Sequence, residues 1–317
     1  MHVVYKVVFG LFVWTSIVSA QNESIERSLQ HCRNVNSEIK RLECYDQIGS
    51  LSAKSQSVQL PENDKQAFHM PVLLADLEEP RIFASFGSLD FRNENFSAIL
   101  LGAGTRLKLK TFDIFNKYKS VDFNMIGLIK SQFDVDELDT RNNRGGALIN
   151  TDFMVGAELV KNYEKGSLRL KYTHRSTHLG DEFLIDNPEF LVNRLNLSYE
   201  TIDLLAFHQL NRWGAYLGGS FIVRSEPGSL DKYQLQTGLQ YRGYQSNFYT
   251  PILGLDLKSW QASNWHLNAS LKAGVEFSGF FDRPIQLLLE YYDGKSPYGQ
   301  FFNEDLEFIG LSLNHYW

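Results

Sequence analysis

Residues 265–277, WHLNASLKAGVEF, alternate without a break: Trp265, Leu267, Ala269, Leu271, Ala273, Val275 and Phe277 fall on one side, His266, Asn268, Ser270, Lys272, Gly274 and Glu276 on the other. Successive side chains of a β-strand point to opposite faces, so a period of two specifies an extended segment with one apolar and one polar face. The same repeat runs through Tyr233, Leu235, Leu239 and Tyr241, and through Ile285, Leu287, Leu289 and Tyr291. Aromatic residues mark the ends of these rows.

Alternation alone also suits a soluble sandwich, whose apolar faces point inward. Length and the end of the chain separate the two. The rows run for roughly 10 to 17 residues, longer than soluble strands and suited to tilted strands that cross a membrane. The last row, Ile309, Leu311, Leu313, His315 and Trp317, ends on an aromatic residue, which resembles the C-terminal signal read by barrel-assembly machinery. With 14% aromatic residues and 23 glycines, the composition suits many aromatic-ended strands better than a helical enzyme.

The expected fold class is therefore all-β: a transmembrane antiparallel up-and-down β-barrel of about 12 strands, spanning residues 80–317. Polar stretches 133–146, 178–191, 225–231 and 295–305 fall at one end, and the short turns 162–166, 211–213 and 278–282 at the other. Within a strand read over 192–209 the phase slips near Glu200 and Thr201, which implies a β-bulge. Inward positions carry Asp152, Glu158, Arg169, Lys171, Arg175, Arg194, Asp256, Lys258, Lys272, Glu276 and Glu290. In so narrow a barrel these mixed charges are expected to pair across the lumen rather than line an open channel.

Ahead of the barrel, Lys6 precedes an apolar run from Val7 to Val18, followed by the small residues Ser19 and Ala20. This pattern marks residues 1–20 as a signal peptide. The run is too short for a membrane-spanning helix and no later segment approaches the required length, which excludes a helical membrane protein. The exported chain meets an oxidising compartment, so Cys32 and Cys44, its only cysteines, are expected to form a disulfide within a helical periplasmic segment over 21–50. Residues 51–79 are a linker and lead-in. The net charge of −6 argues against a nucleic-acid partner. The expected location is the outer membrane of a Gram-negative bacterium, with outer-membrane lipid and, during biogenesis, the barrel-assembly machinery as partners, and a second copy of the chain as a further candidate.

One segment carries candidate chemistry. In 167–177, SLRLKYTHRST, the alternation sets Leu168, Leu170, Tyr172, His174 and Ser176 on the lipid face and Arg169, Lys171, Thr173 and Arg175 on the lumen side. A serine and a histidine at i and i+2 lie within side-chain reach, and Asn193, read in phase with Leu195, Leu197 and Tyr199, is placed on the same face of the next strand. Nucleophile, base and orienting amide are the parts of a serine acyl hydrolase. The competing reading is a polar rim among lipid headgroups, on a non-enzymatic lipid-binding, structural or transport barrel.

The strings LLADLEEPR (73–81), INTDFMVG (149–156), YTHRSTHLGDEFL (172–184), NRLNLSYE (193–200), GLDLKSW (254–260) and LEYYDGKSPYGQFF (289–302) resemble the domain-of-unknown-function family 1207, a family of bacterial outer-membrane proteins. That resemblance implies a location and no reaction. His174-Arg175-Ser176 and Asn193-Arg194-Leu195 also resemble the catalytic elements of outer-membrane phospholipase A, a twelve-stranded barrel. The second resemblance implies lipid acyl hydrolysis by Ser176, His174 and Asn193, with calcium as a cofactor candidate. Where that phospholipase follows its serine with Asn-Gly and an arginine, this chain has Thr177-His178-Leu179-Gly180-Asp181-Glu182. Asp181 and Glu182 are the candidate oxygen ligands for such an ion.

Overall fold

In a computed structural model of the protein, the described residues are 32, 33, 40, 44, 68–113, 120–136, 146–192, 197–246, 248–278 and 283–316. The chain forms two compact units, Met1–Gln66 and Ala67–Trp317. In the first, Cys32 and Cys44 lie in helical backbone and are joined by a disulfide, their Cα atoms 5.6 Å apart.

The second unit is a closed antiparallel barrel of 12 strands: β1 (Ile82–Phe91), β2 (Glu94–Asp113), β3 (Ser120–Asp134), β4 (Ala147–Asn162), β5 (Gly166–Leu179), β6 (Ser198–Leu210), β7 (Trp213–Glu226), β8 (Tyr233–Arg242), β9 (Tyr249–Trp260), β10 (His266–Phe277), β11 (Ile285–Lys295) and β12 (Asp305–His315). Each strand pairs with its sequence neighbours, and β1 closes on β12 from Ile82↔His315 to Phe91↔Leu306. Closure leaves no sheet edge unpaired, the condition for β-structure in hydrocarbon, where no water is present to satisfy the backbone.

The alternation produces the two faces that the sequence requires. Leu217 is 67% exposed and Leu311 59% exposed on the outside. Aromatic pairs mark the two ends of the wall, with Trp213 and Tyr241 rings 4.9 Å apart at one and Phe221 and Tyr233 rings 5.5 Å apart at the other. An apolar belt between aromatic girdles is what a lipid-immersed barrel presents. The β1–β2 hairpin turns on Arg92 and Asn93, with φ of 56° and 65°, because positive φ at both central residues matches the twist of the flanking strands.

Inside, the lumen is filled by the chain itself. Residues 68–81 enter at one end of the barrel, where the Met70 amide donates to Asn162 Oδ1, and turn back so that Arg81 Nη1 donates to the Leu74 carbonyl at 3.1 Å. Leu73, fully buried, packs with Leu205, Phe207 and Tyr216, and Leu74 with Ile252 and Leu288. Acidic residues then meet basic ones from the wall: Lys258 reaches Asp76 at 2.6 Å and Glu78 at 3.0 Å, and Arg169 and Arg106 reach Glu79 at 2.9 and 2.5 Å. Lys272 pairs with Glu290 on the neighbouring strand, and Arg242 of β8 with Glu276 of β10, across the intervening β9. Of the expected lumen charges, Arg169, Arg175 and Lys258 pair with a re-entrant segment that the sequence pattern alone had left as lead-in, Asp152, Glu158, Lys171, Lys272, Glu276 and Glu290 pair with other residues of the wall, and Asp256 accepts hydrogen bonds from Tyr216 and Gln236. Arg194 lies outside the described residues.

Close packing of the interior also explains one glycine. A Cβ on Gly238 would come within 2.2 Å of Tyr216 Cζ, because the Tyr216 ring lies against that backbone while its hydroxyl donates to Asp256 at 2.7 Å.

The strand expected over 192–209 begins at Ser198, behind two short helices, α1 (Asp181–Asp186) and α2 (Glu189–Val192). Leu197 and Tyr199 are buried, in a cluster with Ile222 and Leu230. They therefore face inward, not toward lipid as the phase carried forward from Asn193 had placed them. The bulge itself exists at the expected register, but its extra residue belongs to β7: Thr201 pairs with Ile222 and Glu200 with Arg224, so Val223 has no partner on β6.

Candidate functional site

β5 presents His174 and Ser176 on its outer face because Arg175 between them points inward, where it binds Glu78 and lies over the Tyr199 ring. Both residues stand near the end of β5 that leads into the long connection to β6. Pairing with β4 sets Val155 opposite His174 and Phe153 opposite Ser176; pairing with β6 sets Glu200 opposite His174 and Ser198 opposite Ser176. Every one of these side chains shares the outer face.

The direct neighbour across β6 forms the closest polar contact. His174 Nδ1 faces Glu200 Oε1 at 3.4 Å, the imidazole 45% and the carboxylate 18% exposed. With Nδ1–H donating to Glu200, Nε2 is the ring nitrogen left to accept a proton. Among the described residues Ser176 Oγ makes no hydrogen bond, to His174 or to any other group. It stands one outward position from His174 on one side and one from His178 on the other. The His178 ring packs edge-on against Phe153, with centroids 5.6 Å apart, and has no carboxylate partner among the described residues. Among the described residues, only His174 therefore combines proximity to Ser176 with an orienting group.

Asn193, the orienting residue expected from sequence, lies outside the described residues. Glu200 was missed although a signal for it was present. Ile202 and Leu204 are exposed apolar residues of one face, and reading their phase backward by two puts Glu200 on that face. Reading forward from Asn193 lost it.

Beside the pair is an open groove of about 620 Å³, lined by Thr105, Gly127, Ile129, Phe153 and Val155 and reaching His174 and Ser176. It exists because Gly127 contributes no side chain to the outer face between Met125 and Ile129; a Cβ there would meet only the Met154 carbonyl oxygen, at 3.8 Å. No packing constraint demands a glycine at this position. Asp181 and Glu182 open α1 and are both exposed. Among the described residues no group of three or more His, Cys, Asp or Glu side chains is placed to hold a metal ion.

Residues 21–317 match the family described as "Protein of unknown function (DUF1207)". No curated protein matches the sequence. Among solved structures, outer membrane phospholipase A from Escherichia coli is similar with a TM-score of 0.52 and 12% identity, over 79% of this chain and 95% of that one. The Salmonella typhi outer membrane phospholipase dimer with bound calcium gives a TM-score of 0.51 and 11% identity, over 75% of this chain and 91% of that one. At such identities the likeness is one of fold.

Proposed function

Since the chain belongs to the family described as "Protein of unknown function (DUF1207)", whose description leaves the activity to be argued from the site, we propose that it is an outer-membrane lipid acyl hydrolase in which Ser176 is the nucleophile, His174 the base and Glu200 the group that orients it. The observation that carries this reading is the His174–Glu200 contact of 3.4 Å on the outer face of the barrel. A carboxylate fixing Nδ1–H leaves Nε2 to take the serine proton, the division of labour of a serine hydrolase triad. Ser176 Oγ attacks the ester carbonyl, the C–O bond to the lipid backbone breaks, and the proton held on His174 passes to the departing alkoxide. Water, deprotonated by the same imidazole, then releases the fatty acid and restores the serine. In this reading the hydrogen bond between Ser176 and His174 forms only when substrate is present, since catalytic contacts are often long in the free enzyme.

Residues 1–20 act in this reading as the export signal, the outer membrane is the destination, and lipid reaches the site sideways from the bilayer rather than through the lumen. Barrel-assembly machinery inserts the chain, a second copy is a candidate partner, and calcium is a candidate cofactor through Asp181 and Glu182. The rival reading, a transport barrel, is disfavoured by the segment 68–81 packed in the lumen. The test is fatty-acid release from mixed phospholipid micelles by the purified full-length protein, with and without calcium. Ser176→Ala is expected to abolish release; equal rates for wild type and this variant would remove the hydrolase reading.

A further inference from the structure

The row of outward residues through the site extends two strands to one side of β5 and three to the other. Successive pairings align Arg224, Glu200, His174, Val155, Gly127 and Thr105. Arg224 belongs to this row only because of the bulge in β7. Ile222 faces inward and is fully buried, so unbroken alternation would send residue 224 into the lumen; the extra residue, Val223, turns it out. Bulges beside functional sites re-aim side chains in this way.

Arg224 is exposed and stands opposite Glu200 in register, with Glu226 two residues further along its own strand. Among the described residues it nevertheless forms no ion pair. On the far side of His174 lies the groove of about 620 Å³ over Gly127 and Val155. The site is therefore bracketed by a free guanidinium on one side and an apolar trough on the other. With strands about 4.8 Å apart, Arg224 and Gly127 each start about 10 Å from His174.

This arrangement matches one amphipathic molecule, and, resting on the reading of Ser176 and His174 as an acyl-hydrolase site, we propose that Arg224 binds the phosphate of the lipid substrate while its acyl chain lies in the groove over Gly127. The guanidinium offers paired N–H donors to phosphate oxygens in the geometry that favours arginine over lysine. A glycerol bridge from that phosphate carries an ester back toward Ser176. The chain beyond the ester then runs across Val155 and Gly127, where a missing side chain leaves room for it. The substrate class is thus a phosphate-bearing acyl lipid, from either a glycerophospholipid or a phosphorylated glycolipid.

The test separates binding from turnover. Full-length Ser176→Ala protein in detergent is offered phosphatidylglycerol and diacylglycerol of the same chain length, and retained lipid is counted by native mass spectrometry. A preference for phosphatidylglycerol of about tenfold or more is expected, lost on adding Arg224→Ala and partly kept with Arg224→Lys. Gly127→Leu, which fills the groove without a backbone clash, is expected to lower retention of both lipids about fivefold. A parallel arm with a phosphorylated glycolipid identifies the source, since loss of its preference with Arg224→Ala supports the same site. Retention that ignores Arg224→Ala overturns the phosphate site, whatever the wild type hydrolyses, and retention that ignores Gly127→Leu overturns the groove. Arg224-dependent retention together with no fatty-acid release from wild type keeps the binding site and removes the hydrolase reading.

Discussion

Glu78 holds Arg175 through both terminal guanidinium nitrogens, with Arg175 Nη2 donating to Glu78 Oε2 at 2.9 Å and Nη1 to Oε1. Arg175 is the residue between His174 and Ser176, so the segment that fills the lumen grips, from inside, the strand that carries the candidate site outside. Rigid support of this kind is what a catalytic constellation needs. Lys258 binds the same Glu78 at 3.0 Å, which ties β5 through the segment to β9.

That grip has a predictable pH dependence. Burial pushes the Glu78 carboxyl up, but Arg175 and Lys258 outweigh it and hold it well below the usual 4.5; Glu79 is likewise lowered by Arg169 and Arg106 against burial, and Asp76 by Lys258. Carboxylates with depressed folded values stabilise the docked state fully above their ordinary values, and that contribution is lost as pH falls through the depressed ones. Protection of the amides of residues 73–79, taken relative to the intrinsic exchange rate at each pH, should therefore stay high at pH 7 and pH 5 and fall only under pH 4. Low protection already at pH 5 contradicts this account.

The same segment predicts an electrically quiet barrel. Purified protein in planar bilayers should show little steady conductance, since apolar packing around Leu73 and the ion pairs of Asp76, Glu78 and Glu79 occupy the lumen. Removal of residues 68–80 should produce discrete current steps while the barrel remains heat-modifiable. Large ohmic steps from the intact chain are the outcome that transfers the argument to a pore.

The strand rows were legible because alternation is local. Leu267 to Val275 needs only its own neighbours to define a lipid face, and the pairing of β10 with β9 and β11 follows from it. The lumen segment was not legible. LLADLEEPR has no period, and its burial depends on Arg169, Arg175 and Lys258, which are far away in sequence and near only after the barrel closes. The site was half legible for the same reason. His174 and Ser176 are set by one strand's alternation, whereas Glu200 and Arg224 are set by where β6 begins and by an extra residue in β7.

Cys32 and Cys44 close a short loop in a unit separate from the barrel. A loop of this size contributes about 3 kcal/mol at most to the segment that contains it. Reduction should therefore leave the heat-modifiable migration of the barrel unchanged, while unreduced protein should yield no free thiol to a maleimide label. Loss of barrel folding in Cys32→Ser would show that the first unit is needed for the second.

Glu200 and Asn193 are the two candidates for orienting His174. If Glu200 fixes Nδ1–H, Glu200→Ala removes both the tautomer preference and the charge that stabilises the imidazolium formed during attack, and should lower fatty-acid release about 100-fold or more. Glu200→Gln keeps an acceptor but not the charge, and should lie between wild type and Glu200→Ala. Asn193→Ala should cost far less, because the carboxylate directly opposite His174 already serves Nδ1. The Glu200 changes should not disturb folding, since each alters one partly exposed rim group on the outer face. His174→Ala should be as damaging as Ser176→Ala, whereas His178→Ala should not, because its ring packs on Phe153 and has no orienting acid among the described residues. Initial rates on phospholipid micelles give the ranking directly. If Asn193→Ala proves the more harmful and Glu200→Ala is near wild type, the orienting role returns to the amide and the Glu200 contact is only a rim ion pair.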